Sequence, residues 1–167
     1  MKKFLIVCFV IFVASVGCKK ENIGGGGACG CSPVVGPQLM LVVKNSAGED
    51  LLNSNTAGSF SKDNIKLFSK DANGKETQLY FNVRPPFNYT PTESFTSNTL
   101  YSVGFSQLWA ANKGTIYLKL GDAPAYELNV EIDNNKSKVE KVVINNKEAE
   151  KDKGAVAKYA NIFYLVK

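Results

Sequence analysis

A strict alternation of apolar and polar residues near the middle of this 167-residue chain constrains its fold most strongly. The apolar residues Tyr126, Leu128, Val130 and Ile132 alternate with the polar residues Glu127, Asn129, Glu131 and Asp133. Successive side chains of a strand point to opposite faces, so this pattern predicts a strand that is buried on one face and solvated on the other. The three acidic side chains are then its wet face rather than a catalytic carboxylate pair.

Further short apolar runs are separated by turn residues at regular intervals. They lie at 38–44, 65–68, 77–83, 100–105, 115–120, 139–144 and 162–166. Asn73-Gly74 predicts a hairpin between two of them, because both residues tolerate positive φ. Arg84-Pro85-Pro86 cannot continue a central ladder, so a longer connection is predicted to run to about residue 97. The segment 147–159 predicts either a short helix or a charged loop.

About eight short strands predict an all-β domain over residues 38–167. We expect a single antiparallel β-sandwich, Ig-like or transthyretin-like, with a closed β-barrel as the alternative. The length of this region suits one domain. No internal period indicates a propeller or a solenoid.

The first seventeen residues have the composition of an export signal. Lys2 and Lys3 are followed by the apolar run 4–13 and then by small residues up to Gly17. This order matches the basic, apolar and cleavage regions of a signal peptide. The uncharged stretch is shorter than the roughly 20 apolar residues that span a bilayer.

The cleavage region runs directly into a cysteine. Ser15-Val16-Gly17-Cys18 resembles the lipobox of bacterial lipoproteins, although most lipoboxes have Leu where Ser15 stands. The resemblance implies that the Cys18 sulfur receives a diacylglyceryl group, that the chain is cut before Cys18, and that the new amine is acylated. Residues 18–37 then form a tether, in which Gly24–Gly27 gives a flexible spacer.

Four cysteines are present, and only two of them remain free of these roles. Cys8 leaves with the signal, and Cys18 carries lipid. Cys29 and Cys31 are predicted to pair locally outside the cytoplasm, which would close a small loop in the tether. A redox pair, a metal site or an intermolecular disulfide are the functional alternatives.

Charge and residue types exclude several classes of function. Loss of the signal lowers the count of basic residues from 20 to 18, against 15 acidic residues, and Arg84 is the only arginine. The charges are scattered, so no patch indicates nucleic acid as a partner. The chain has no histidine, which excludes nucleophile systems that need one. We therefore expect no enzyme activity, no bound metal and no cofactor.

Aromatic residues are the best candidates for ligand binding. Eight lie between Tyr80 and Trp109, and most should be core. Phe87, Tyr89 and Trp109 are predicted to lie in or beside loops, where aromatic rings can stack on sugars or contact a protein.

Residues 41–53, 115–120 and 143–148 resemble small uncharacterised lipoproteins of Bacteroidota-type bacteria in their order of strands and turns. The resemblance implies an outer-membrane location and a sandwich fold, and it brings no catalytic residues. We expect a lipid-anchored envelope protein that binds or assists a protein partner without catalysis. A glycan-binding or glycan-active surface lipoprotein that uses the loop aromatics is the alternative. The single acidic residue just after Cys18 in the tether, Glu21, leaves the periplasmic and the external side both open.

Overall fold

A computed structural model describes residues 36–103, 113–133 and 138–167 of the chain. In these ranges the chain forms thirteen strands, two single 3-10 turns and no α-helix. Two sheets pack face to face around one apolar core, and a two-stranded hairpin covers part of the outer surface. The predicted all-β, sandwich-like class is confirmed, and no sheet among the described residues closes into a barrel.

The first sheet has five strands. They are β1 (Leu39–Lys44), β4 (Asn82–Arg84), β7 (Thr99–Ser102), β12 (Glu150–Lys151) and β13 (Phe163–Val166). Their order is β12–β13–β1–β7–β4. One pair departs from the predicted antiparallel arrangement: β13 runs parallel to β1, with Leu41 beside Phe163. The 3-10 turn Ala155–Lys158 reverses the chain after β12 and brings β13 back in the direction of β1.

The second sheet has six strands, all antiparallel to their neighbours. They are β2 (Ile65–Lys70), β3 (Glu76–Gln78), β8 (Lys113–Leu120), β9 (Tyr126–Asp133), β10 (Lys138–Ile144) and β11 (Lys147–Glu148). Their order is β11–β10–β9–β8–β2–β3. In β9, Leu128, Val130 and Ile132 are buried, whereas Glu127 and Glu131 are exposed. The alternation in the sequence is thus the two-faced strand it predicts.

The segment 147–159, for which the sequence predicts either a short helix or a charged loop, contains a short 3-10 helix, Ala155–Lys158, and the two short strands β11 and β12. Asn145 and Asn146 take positive φ values of 46° and 66°, and they turn β10 directly back into β11. Two consecutive residues with positive φ make the type I′ turn that suits the twist of a hairpin.

The hairpin around Asn73-Gly74 forms as predicted. Phe68 pairs with Gln78 across β2 and β3, and Gly74 has a φ of 78°. The return strand is shorter than predicted. After Leu79 the chain leaves this sheet, the Phe81 side chain enters the core, and the next strand, β4, belongs to the other sheet.

The long connection predicted after Arg84 lies between β4 and β7 and contains two further strands. It forms a hairpin of β5 (Phe87–Thr90) and β6 (Glu93–Phe95). This hairpin lies over the outer face of the five-stranded sheet. Its Phe95 packs with Met40 and Val42 of β1 and with Val156 and Ile162 in a second, smaller apolar cluster.

The hairpin explains why β1 is apolar along its whole length. Leu39, Leu41 and Val43 face the main core, while Met40 and Val42 face the second cluster. Burial on both faces removes the alternation that marks a strand with one wet face. The domain thus has three layers at this position, and the outermost layer carries two of the aromatic residues predicted to bind ligand.

Candidate binding surface

Some of the predicted site residues lie within the ranges that the structure describes, and others lie outside them. Cys18, Cys29, Cys31 and Trp109 lie outside the described residues. Phe87 and Tyr89 lie in strand β5 rather than in a loop, and both are half-buried against the second cluster. They lie beside loops rather than in them, because β5 is a short strand between Pro85-Pro86 and the turn at Pro91-Thr92.

Tyr89 stands at the centre of a group of aromatic rings. Its ring centroid lies 4.9 Å from that of Phe87 in an edge-on contact and 4.9 Å from that of Tyr159 in a stack inclined by 15°. The Tyr89 hydroxyl donates towards the Met40 sulfur at 3.9 Å. Burial raises the pKa of Tyr89, and the positive charge of Arg84 opposes this rise in part. The phenol therefore stays neutral at physiological pH.

Arg84 adds a cation beside these rings. Its guanidinium carbon lies 3.7 Å from the centroid of the Phe87 ring, a distance typical of a favourable cation–π contact. Arg84 is exposed, so its planar group stays open to solvent on one side. Planar guanidinium groups can bind carboxylate or phosphate through two parallel hydrogen bonds.

Glu93 links the β5–β6 hairpin to the chain that follows β12 through two hydrogen bonds. Its two carboxylate oxygens accept hydrogen bonds of 2.7 Å from the Lys158 ammonium and of 2.7 Å from the Tyr159 hydroxyl. These two hydrogen bonds lower the pKa of Glu93, that from Lys158 most strongly. The same contacts raise the pKa of Lys158 and of Tyr159. Glu93 thus holds Tyr159 in position for its stack on Tyr89.

These groups form a surface that we call the hairpin surface: Arg84, Phe87, Tyr89, Glu93, Lys158 and Tyr159. Sequence reasoning missed Glu93 and Tyr159, which are 66 positions apart. No local pattern relates them, because their contact depends on how the hairpin lies across the sheet. The rings of Phe87 and Tyr89 are half-covered, so the surface offers ring edges and charged groups rather than a flat, open ring.

Three aspartates of the described chain make hydrogen bonds that stabilise turns or neighbouring side chains. Asp50 accepts from the backbone N–H groups of Asn98 and Leu52, and Asp71 accepts from those of Asn73 and Lys75. Asp152 accepts from the Tyr164 hydroxyl at 2.7 Å. Within the described ranges, no group of three Cys, Asp or Glu residues is placed to hold a metal ion.

Comparison of the chain with protein-family models, with curated proteins and with solved structures gives no match.

The lowered pKa of Glu93 makes the docking of the hairpin sensitive to acid. A carboxyl group whose pKa is lower in the folded state stabilises that state above its ordinary pKa, and this stabilisation is lost as the pH falls through the lowered value. We expect Glu93→Gln to unfold at a lower urea concentration than the wild type at pH 7. At pH 3 the two midpoints should lie closer together.

Glu150→Gln is the matched control, since Glu150 is an exposed glutamate of β12. Its midpoint should follow that of the wild type at both pH values. An equal gap between Glu93→Gln and the wild type at pH 7 and pH 3 would contradict the proposed role of the Glu93 charge.

Proposed function

We propose that this chain is an outer-membrane lipoprotein whose β-sandwich serves as a non-catalytic binding or accessory module of the cell envelope. The signal-like residues 1–17 and the lipobox-like sequence that ends at Cys18 support the anchor. Two acyl chains on one residue give stable membrane attachment, because each buried CH₂ contributes about 0.8 kcal/mol. Among the described residues no helix is long and apolar enough to span a membrane.

The length of the tether supports a domain that works at some distance from the bilayer. Strand β1 begins at Leu39, two residues after the last residue of the predicted tether, 18–37. A flexible, glycine-rich chain of this length has a root-mean-square span of about 25 Å. The composition of the tether thus predicts a domain that can present different faces to a ligand, on either side of the outer membrane.

The observation that best supports a binding role is that the polar groups of the hairpin surface hydrogen-bond to one another. Glu93, Lys158 and Tyr159 satisfy one another, so none of them is poised as a free acid or base. Aromatic edges beside charged groups suit recognition, in which a partner contacts both kinds of group.

A glycan-binding role is the second candidate. It is favoured by the half-exposed rings of Tyr89 and Phe87, which lie next to Tyr159. In this role Trp109 would supply a further stacking ring, as the sequence predicts. Aromatic rings and neighbouring hydrogen-bonding groups are the usual means of holding a neutral sugar.

An array of neutral glycans distinguishes the two roles. We expect the full-length mature chain, purified in detergent, to show no binding to neutral glycans. Binding that is lost in Trp109→Ala, but kept in a Tyr80→Ala control, would overturn the first role in favour of the second. Tyr80 suits the control because its side chain is 63% exposed and lies outside the predicted set.

A further inference from the structure

A second surface with unusual chemistry lies on the outer face of the six-stranded sheet. In β2 the core residues Ile65 and Leu67 alternate with Lys66, Phe68 and Lys70, which point outwards. In the neighbouring β8, Tyr117 and Lys119 likewise alternate with core residues. We call the lysines 66, 70 and 119 of this face the lysine strip.

Two lysines of the strip stand directly opposite one another. Lys66 pairs with Lys119 in the register of β2 and β8, so their Cβ atoms are separated by about 5 Å. No acidic side chain within the described ranges forms an ion pair with either of them. Like charges at directly opposed positions destabilise a sheet. A negatively charged ligand would relieve this repulsion.

The third lysine lies over an aromatic pair. The rings of Phe68 and Tyr117 stack at 5.4 Å with an inclination of 19°. The Lys70 ammonium lies 4.8 Å from the centroid of the Tyr117 ring and 3.6 Å from an exposed carboxylate oxygen of Glu76. An exposed pair of this kind is weak, so an anion in solution can compete with Glu76.

The next strand does not neutralise the strip. Glu127 of β9 lies opposite Tyr117; its carboxylate accepts a hydrogen bond of 3.0 Å from Asn129, and among the described residues it forms no ion pair with Lys66 or Lys119. Lys141 of β10 is paired with Glu148 at 3.0 Å. Among the described residues, Lys66 and Lys119 of β2 and β8 therefore have no ion-pair partner, whereas Lys141 farther across the sheet is paired with Glu148.

We propose that the lysine strip binds the carboxylate groups of an acidic polysaccharide laid along β2 and β8. Carboxylates of the polymer would pair with Lys66 and Lys119, and a further one would replace Glu76 beside Lys70. The flat face of a sheet suits an extended polymer, and repeated charges allow several weak ion pairs to act together. This inference rests on the proposed role as a binding module and names the chemical class of its ligand.

A lipid surface fits the strip less well. Phe68 is only 6% exposed, so the strip has no free apolar side chain to enter a bilayer. The exposed large apolar residues of the described chain are Tyr80, Val103, Tyr159 and Val166. None of them belongs to β2 or β8, and interfacial membrane contact needs apolar and basic groups on one surface.

The test measures binding of polygalacturonate to the full-length mature chain in detergent, with neutral dextran as the control polymer. We expect binding of polygalacturonate only, and we expect this binding to weaken as salt rises. The double variant Lys66→Gln with Lys119→Gln should bind at least tenfold more weakly. It should be at least as stable as the wild type in urea, because it loses the repulsion.

The matched control is Lys147→Gln with Lys153→Gln, which removes the same charge from exposed positions elsewhere. It should bind polygalacturonate nearly as the wild type does. Equal weakening in both double variants would show an effect of net charge alone and would overturn the site. Absence of binding by the wild type would overturn the ligand class.

A third experiment tests whether the ligand of the lysine strip is a lipid rather than a polysaccharide. The Cys18→Ser chain, which lacks the proposed anchor, is mixed with vesicles of phosphatidylglycerol, and we expect no binding. Strip-dependent binding to these vesicles, without binding to polygalacturonate, would assign the strip to lipid instead. Binding to the polymer is measured in solution, so its failure is distinguishable from a failure of the proposed membrane anchor.

Discussion

Replacement of Cys18 by serine is expected to move nearly all of the protein from the membrane fraction to the soluble fraction, or to stall its processing as an uncut precursor. The thioether-linked diacylglyceryl group forms on the cysteine sulfur, and a serine hydroxyl does not replace it. Without the proposed lipid, the basic residues beside it would hold the chain only weakly, because Lys19 and Lys20 contribute only about 1 kcal/mol each near anionic headgroups. Fractionation with immunoblotting measures the distribution.

Two other cysteines of the tether provide the control for Cys18→Ser. Cys29→Ser with Cys31→Ser changes the other two cysteines near the mature amino terminus and leaves the lipobox-like sequence intact. This double variant should stay in the membrane fraction. Normal cleavage and unchanged membrane retention of Cys18→Ser would refute the lipid anchor.

Of the substitutions considered for the β-sandwich, Phe163→Ala is expected to lower the free energy of unfolding most. Its side chain is 1% exposed and lies in the main core between the two sheets. Phe-to-Ala changes in well-packed cores cost about 3 to 5 kcal/mol, since they lose burial and leave a cavity. A domain of this size has a free energy of unfolding of about 5 to 15 kcal/mol, so Phe163→Ala should lose a large share of it.

Val166 provides the comparison on the same strand. It is 65% exposed, so Val166→Ala should change the free energy of unfolding by no more than about 0.5 kcal/mol. Urea titrations of the wild type and both variants give the two differences. Similar costs for Phe163→Ala and Val166→Ala would contradict the assignment of Phe163 to the core.

Parts of the fold could be predicted because local sequence encodes them. The alternation in β9 reports one buried and one wet face, and Asn73-Gly74 encodes the turn between β2 and β3. Both signals depend on residues that are close in the chain. The positions of Phe87 and Tyr89 on a strand did not follow from local sequence, because Arg84-Pro85-Pro86 predicts the end of a strand and a connection after it.

Features of the fold that depend on residues far apart in the chain could not be predicted from local sequence. The parallel pairing of β13 with β1 joins positions more than 120 residues apart, and no local pattern sets its direction. The contact between Glu93 and Tyr159 depends on the docking of β5 and β6. The apolar run in β1 marks burial, but the second cluster that covers Met40 and Val42 comes from segments far along the chain.

The lysine strip could be predicted from the sequence only in part. Alternation in β2 and β8 places its lysines on an outer face, and this could be predicted from sequence. The direct opposition of Lys66 and Lys119 depends on the register of two strands that are distant in the chain. A shift by one residue would turn each side chain to the other face, so only the structure fixes this pair.

The mass of the amino-terminal peptide of the mature protein tests the central claim most directly. The protein is isolated from its native membrane, digested with trypsin and measured by mass spectrometry. We predict a peptide that begins at Cys18 and carries the mass of a diacylglyceryl group, with a further acyl chain on its amine. A mature chain that begins at another residue, or at an unmodified Cys18, would contradict the lipid anchor.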